Sequence, residues 1–244
     1  MSGGALDTVT PFPMLGGVIN INGLNPTITA VSAPEDIWQG SAPYPFPTVV
    51  ADTTIESSSA NDAAAGTGAR TVKVTGLDAN YDIVVETVAM NGVTPVALST
   101  QLLRINDIEV MTAGSGGTTA GNLSVKQAAT TIGFVAAGFN RNRASIYTIP
   151  NKYIEGQLLG WHASLKEATA AVAFATLALQ TKTASGLWYA QSMIHVNVAS
   201  PSIVSFPVPI SIPTHADIRV RALSVIGTIE VISCVQLGLA LSDA

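Results

Sequence analysis

The chain has 244 residues, of which only 11% are charged, against about a quarter in ordinary soluble domains. Hydrophobic residues make up 48% of the chain, which is enough for a sizeable core. The formal net charge of −5 argues against a nucleic-acid partner, because contacts to phosphates need clustered Lys and Arg.

A free monomer needs charged surface to stay dispersed in water. So few charges therefore favour a homo-oligomer, or a protein that buries much of its exterior against partners. The alternative is a β-protein whose surface is polar through Ser, Thr and Asn. The single cysteine, Cys234, allows neither an intrachain disulfide nor a cysteine-built metal site, and no cofactor is expected. The first residues lack the features of a secretory signal, and no apolar run has the roughly 18 residues that a membrane helix needs. We expect a protein made in a cytoplasm, with no membrane partner.

Residues 1–47 differ from the rest of the chain, because more than half of its 13 prolines fall there. Proline fixes φ and removes a backbone donor, so these residues are predicted to form an extended arm. Four aromatic side chains in the arm would be costly to leave exposed: Phe12, Trp38, Tyr44 and Phe46. The sequence leaves open whether the arm docks on its own domain or on a neighbouring subunit.

Residues 48–244 are predicted to form an all-β domain, a two-sheet β-sandwich of the jelly-roll type. In Thr71–Thr75 the apolar residues alternate with polar ones, as in a half-buried strand. A split into two subdomains, with a break near residues 112–122, is the alternative. Further strands are predicted over 82–90, 93–98, 101–111, 122–126, 131–137, 144–149, 153–164, 187–198, 205–212, 217–224 and 228–241.

Two local predictions carry alternatives or special geometry. Asn91-Gly92 suits a two-residue hairpin turn, because both central residues of a type I′ turn need positive φ. Residues 164–181 begin with the spacing of a helix capping box, yet Val172, Phe174, Thr176 and Ala178 alternate as in a strand. We predict a strand over 170–181. In residues 217–224, Arg219 and Arg221 are expected on a basic outer face.

No residue pattern indicates catalysis, so the protein is not expected to be an enzyme. Asp78, Asn80 and Asp82 have the spacing of the first ligands of an EF-hand loop, but the glycine and the bidentate glutamate of that loop are missing. A polar turn explains them better. The three histidines, His162, His195 and His215, lie far apart in sequence without metal-ligand spacing.

The run from Asp52 to Asp82, followed by Glu86–Gly92 and Leu102–Val110, resembles a recurring module in virion structural proteins of tailed bacteriophages, cyanophages especially. Glu35–Gly40 with Tyr44–Pro47 is similar to the lead-in of that family. Ile212-Pro213 and Asp217–Ala222 resemble its closing strand, and the resemblance implies a strand rather than a helix over 170–181. These segments are scattered over most of the chain and contain no active-site signature.

The resemblance implies a capsid decoration, or cement, protein. Such a protein lies on the capsid exterior of a virion assembled in the host cytoplasm, and bridges subunits of the major capsid protein. We expect a homo-oligomer, with a trimer as the expected number, and Phe12, Trp38, Tyr44 and Phe46 as candidate capsid contacts. The alternatives are a tail, collar or fibre-attachment component, or a sugar-binding host-attachment module that uses Trp161, Trp188 and Tyr189.

Overall fold

The computed structural model describes residues 15–30, 32–40, 43–167, 173–183 and 186–241. Within these ranges every named element is a β-strand and every strand pairing is antiparallel, so the all-β prediction is confirmed. No helix in the described ranges is long and apolar enough to cross a membrane. The strands are β1 Leu15–Thr29, β2 Glu35–Asp36, β3 Thr53–Ser57, β4 Ala69–Leu77, β5 Ile83–Ala89, β6 Val96–Ala97, β7 Arg104–Ala113, β8 Leu123–Gln127, β9 Thr130–Val135, β10 Ile146–Thr148, β11 Glu155–Glu167, β12 Phe174–Lys182, β13 Trp188–Asn197, β14 Ser202–Pro213, β15 Asp217–Ile226 and β16 Thr228–Ala240.

The larger of two sandwiches consists of two packed sheets. The first sheet has the strand order β1-β16-β11-β14, and the second has the order β10-β15-β12-β13 with β2 also paired to β15. The core between the sheets contains Trp161, which is 2% exposed, together with Leu177, Val220 and Val235.

One strand of the second sheet is built from two distant pieces of chain. β2 pairs with one half of β15, and β10 pairs with the other half along the same edge. Between them the Ile37 amide donates to the Val220 carbonyl at 2.9 Å, and the Ser145 amide donates to the Ile37 carbonyl at 2.8 Å. The chain therefore leaves this strand after Ile37 and re-enters it at Ser145. Trp38 and Ala144 form an antiparallel bridge at the point of departure.

When the two pieces are counted as one, the larger sandwich has eight strands. In chain order they form sheets with the sequences 1-8-3-6 and 2-7-4-5. This order is that of a jelly roll. The predicted jelly-roll sandwich is therefore confirmed.

The described residues between 38 and 144 form a second sandwich, here called the inserted sandwich. Its sheets have the orders β6-β3-β8-β9 and β5-β4-β7. It has a hydrophobic core of its own, which includes Ile55, Val72, Val74, Ile108 and Leu123. The alternation predicted for Thr71–Thr75 is observed in β4.

These boundaries differ from the predicted ones. Of the predicted arm, residues 15–29 form β1, which pairs along its length with β16, and residues 1–14 lie outside the described ranges. The chain does divide into two units, but at residues 37 and 145. The loop near residues 112–122 joins β7 to β8 within the inserted sandwich. A strand interrupted by an insertion leaves no sign in local periodicity, since each half is too short to show one.

Two local predictions have opposite outcomes. The hairpin at Asn91-Gly92 is wrong, because β5 pairs with β4 whereas β6 crosses to pair with β3 in the other sheet. Gly92 has a φ of 60°, but Asn91 instead bridges Ala63. The strand predicted over 170–181 is confirmed from Phe174 onward, and residues 168–172 lie outside the described ranges.

Asp62 anchors the glycine-rich loop of residues 113–121, which joins β7 to β8 in the inserted sandwich. Its side chain is fully buried. The carboxylate accepts hydrogen bonds from the amides of Ala69 at 2.6 Å, Ala120 at 2.8 Å and Gly121 at 2.8 Å, and from the Ser57 hydroxyl at 2.6 Å. One carboxylate thus joins the end of β3, the start of β4 and the loop that leads into β8.

Replacing Asp62 by Ala should destabilise the inserted sandwich by at least about 3 kcal/mol, because two buried backbone donors, one part-buried donor and the Ser57 hydroxyl lose their acceptor at once. The measurement is urea unfolding of wild type and variant. Asp52→Ala is the control, since the exposed Asp52 carboxylate accepts one hydrogen bond, from Gln101. Similar losses for the two variants would contradict the role given to Asp62.

Candidate functional site

The predicted aromatic contact residues lie inside the molecule. Trp38, Tyr44 and Phe46 are 3%, 5% and 7% exposed. Their rings meet edge to face, with centroids 5.1 Å apart for Trp38 and Tyr44 and 4.7 Å apart for Tyr44 and Phe46. Phe46 in turn contacts Trp188 of β13 at 4.8 Å. Phe12 lies outside the described ranges.

These rings fill the junction between the inserted sandwich and the second sheet of the jelly roll. The Tyr44 hydroxyl donates to the carbonyl of Ile132 in β9 at 2.8 Å, and its burial raises the pKa of Tyr44. The part of the predicted arm that the structure describes therefore docks on its own chain. The three side chains are core residues in this conformation, and their contact with a capsid stays an untested prediction.

A buried ion pair crosses the same junction. Arg104, at the start of β7, donates from Nε and Nη2 to the two carboxylate oxygens of Asp217, at the start of β15, at 2.8 and 3.0 Å. Asp217 also accepts from the Thr148 hydroxyl at 2.6 Å and lies 3.3 Å from Lys182 Nζ. Burial alone would lower the pKa of Arg104, but the hydrogen bonds and charge of Asp217 outweigh it and the pKa is raised.

A second acidic group in the junction, Asp36, has longer and weaker ion pairs. Asp36 is fully buried, and its Oδ1 lies 3.4 Å from Arg219 Nη1 and 3.7 Å from Arg221 Nε without a hydrogen bond in the described ranges. Its Oδ2 accepts from the Tyr44 amide at 2.8 Å. Burial raises the pKa of Asp36 in spite of the two arginines, and burial also lowers the pKa of Arg219 to about 10. Desolvation outweighs attraction here because the geometry is looser than that of Arg104 and Asp217.

The prediction of a basic outer face on β15 is wrong for Arg219, which is not exposed to solvent. Arg219 is 6% exposed, because the inserted sandwich covers this face of the sheet. Its guanidinium lies 3.7 Å from the centroid of the Trp188 ring and donates to Gln180 at 2.9 Å. The alternation in β15 was visible in the sequence, but the second layer above it was not.

The other candidate sites remain separate from one another. Asp78 Oδ1 accepts from the amides of Asn80 and Asp82 at 2.8 and 3.0 Å, so this carboxylate oxygen serves the turn itself, as the polar-turn interpretation predicted. His195 lies 3.0 Å from the Thr176 hydroxyl on one sheet, whereas His215 stacks on Tyr81 at 4.4 Å. Across the described ranges, no group of three or more His, Cys, Asp and Glu side chains could hold a metal ion.

A cleft of about 500 Å³ lies between β1 and the inserted sandwich. Much of its polar lining already has partners in the protein. Asn106 exchanges two hydrogen bonds with the Thr148 backbone, Asn142 accepts from the Ile108 amide, and Arg141 pairs with Asp107. Asn106 joins the two sandwiches, and the other two interactions lie within the inserted sandwich, so few of these groups are left to offer donors to a ligand.

The surface that best fits an interaction role is the side of the jelly roll formed by β13 and β14, here called the uncharged edge. β13 is the last strand of the second sheet, β14 is the last strand of the first, and a short turn joins them. No Asp, Glu, Lys or Arg occurs between Lys182 and Asp217. Apolar side chains are nonetheless exposed there, including Met193 at 56%, Ile203 at 78% and Val208 at 75%.

The two strands of the uncharged edge differ in how much of their outer backbone is free to pair with another strand. In β14, Leu158 pairs with Ile210 and Gly160 pairs with Ser205, so residues 206–209 bulge away opposite Leu159. Pro207 and Pro209 lie in this bulge and carry no amide donor. β13 has one bulge, at Gln191, and no proline.

No family model and no curated protein matches the chain. Among solved structures, it is similar to the structure of infectious bursal disease virus Gt strain, with 10% identity, 96% of this chain and 84% of that chain covered, and a TM-score of 0.20. It is also similar to T=1 particles derived from infectious bursal disease virus, with 11% identity, 95% and 76% covered, and a TM-score of 0.19. At such scores neither likeness carries an argument about function, and the jelly-roll assignment rests on the strand order.

Replacing Asp217 by Asn should lower the free energy of unfolding by about 3–5 kcal/mol, because Arg104 is left buried with no full counter-charge. Asp107→Asn is a matched control. It breaks a pair of similar geometry, with Arg141 at 2.8 and 2.9 Å, in which Arg141 is 67% exposed, and should cost about 1 kcal/mol or less. Equal losses in chemical denaturation would show that burial of the Arg104 pair is irrelevant.

Asp36→Asn should change how stability depends on pH. Because the folded-state pKa of Asp36 lies above its ordinary value of 3.8, the unfolded chain releases this proton first as pH rises. Wild type should therefore lose stability relative to the Asn variant from about pH 4 until the raised pKa is passed, and the difference should be constant above it. Urea unfolding of both proteins between pH 4 and 7 measures the difference, and a wild-type gain over this range would contradict the assignment.

Proposed function

We propose that this protein is a structural component of a virion, and specifically a decoration protein on the capsid of a tailed phage. The observation that carries the proposal is the uncharged edge, which exposes apolar side chains and backbone without a single formal charge. A surface of this kind is suited to burial against another protein rather than to solvent. Repeated by the symmetry of a shell, many modest contacts of this kind hold a particle together.

Two further properties support the proposal. The chain is poor in charge overall, and the sequence segments given above resemble virion proteins of tailed phages. The jelly roll is a common fold of viral capsid domains, but lectins and cupins share it, so the fold supports the proposal only by analogy.

Within the uncharged edge, β14 is the better candidate for contact with the major capsid protein. Its bulge and prolines prevent regular pairing with another strand, so it offers side chains rather than backbone. Ile203 and Val208 are the most exposed large apolar side chains in the described ranges. They can insert into apolar depressions of a partner without needing a matching strand.

The sugar-binding alternative has little support. Of its three aromatic candidates, Trp161 is buried in the jelly-roll core and Trp188 lies beneath Arg219, which leaves Tyr189 exposed. The tail, collar or fibre-attachment alternative explains the uncharged edge equally well. Copy number separates it from decoration, because a decoration protein occupies each repeat of the shell and is far more abundant per particle than a tail part.

The test is cosedimentation of the purified protein with undecorated phage capsids, with stoichiometry read from the pellet. Wild type should saturate the capsids at a fixed number per shell subunit. The double variant Ile203→Lys, Val208→Lys should lose binding, since two buried charges would be introduced at the contact. Val85→Lys, Val93→Lys is the matched control, because these side chains are 60% and 59% exposed on the inserted sandwich.

Wild type that fails to sediment with capsids, or that binds in only a few copies per particle, would overturn the decoration proposal. Binding that survives in the β14 double variant but not in the control would move the contact to the inserted sandwich.

A further inference from the structure

The jelly roll has four sheet edges, of which one is covered, one is blocked by prolines and one is covered in part. The edge formed by β2 and β10 is covered by the inserted sandwich, where Asn106 bonds to both the amide and the carbonyl of Thr148. The edge of β1 faces the same insertion across the cleft, and the Leu24 amide donates to the Arg143 carbonyl at 3.3 Å, whereas the first residues of β1, Gly16–Val18, are exposed. The edge of β14 carries the prolines and the bulge described above.

The fourth edge, β13, is open. Among the described residues, β13 pairs only with β12, so the amides and carbonyls on its outer side meet no strand. Proteins normally protect such an edge with charge, proline or a bulge. In β13 the one bulge is at Gln191, and the six residues Ser192–Asn197 beyond it are regular, uncharged and free of proline.

We propose that β13 pairs antiparallel with β13 of a second copy of this chain about a two-fold axis, which joins the second sheets of two jelly rolls. The inference rests on the proposed assembly role and names its first partner. A two-fold axis brings each residue close to its own copy, so any charge near the axis would face a like charge. The uncharged edge avoids this repulsion, and is therefore electrostatically suited to contact itself.

β13 also supplies apolar surface for a second copy. Its 10 strand residues include Tyr189 and Met193, which are 48% and 56% exposed. The contact does not require β14, whose Ile203 and Val208 are proposed to meet the capsid. A ring of three copies would instead need two different edges that pair with each other, and β14 cannot accept a regular strand. The predicted trimer is thus replaced by a two-fold contact in this proposal.

The test uses His195, an exposed residue in the middle of the regular part of β13. In either central register it lies opposite, or diagonal to, its own copy across the axis. By light scattering, wild type should have twice the 25.1 kDa mass of one chain, or a larger even multiple. His195→Lys and His195→Glu should each weaken this association at least tenfold, and an equimolar mixture of the two should restore it.

His162→Lys is the control, because this exposed histidine lies on β11, which is paired on both sides, and the variant should keep the wild-type mass. Circular dichroism verifies that each variant is folded. A monomeric wild type, a trimer insensitive to His195→Lys, or a mixture that stays monomeric would each overturn the two-fold contact. The capsid cosedimentation assay reports separately on the proposed function, because a dimer that ignores capsids and a monomer that binds them are distinct results.

Discussion

The hydrogen bond from the Ser145 amide to the Ile37 carbonyl is the contact on which the architecture depends. It makes one strand out of two chain segments that are separated by the whole inserted sandwich. Without that strand, one edge of β15 would be open, and the jelly roll would have seven strands instead of eight. Because the chain leaves and returns at adjacent positions, the insertion requires no rearrangement of the jelly roll around it.

The position of the insertion has a consequence for charge. The inserted sandwich packs on the outer face of β15, and three of the 11 basic residues of the chain take part in that contact: Arg104 pairs with Asp217, and Lys182 and Arg219 lie over the Phe46 ring. Buried ion pairs contribute little net stability, since desolvation offsets their attraction. The Arg104–Asp217 pair instead fixes how the two sandwiches are oriented, because Arg104 can make two hydrogen bonds to Asp217 in only one placement of the two sandwiches. The exterior is left even poorer in charge than the composition indicates.

Much of the fold could be predicted from the sequence, because alternation of apolar and polar residues is local information. The strands of the jelly roll and of the inserted sandwich follow it closely, and Phe174–Lys182 shows the alternation although its residues favour a helix. Layering was not predictable in the same way. Arg219 alternates like a surface residue but is covered by a second domain, and Asp62 has no sequence signature although it joins two strand ends and a loop.

The candidate site was missed for a related reason. Sequence reasoning chose Trp38, Tyr44 and Phe46 because aromatic side chains are costly to expose, and that cost is the reason they are buried in the junction. The signal that could have identified the uncharged edge was an absence, the long interval without Asp, Glu, Lys or Arg after Lys182. Its meaning required the strand order, which alone reveals that β13 and β14 are outermost in their sheets.

An interface made from such an edge has physical properties that suit a particle. Contacts between charged groups are screened by salt, whereas backbone hydrogen bonds and apolar burial are affected much less. Sulfate and phosphate even strengthen apolar burial, because they are excluded from protein surfaces. The same open edge would promote aggregation in a protein that remained solitary. An edge of this kind is therefore an advantage only where a partner covers it.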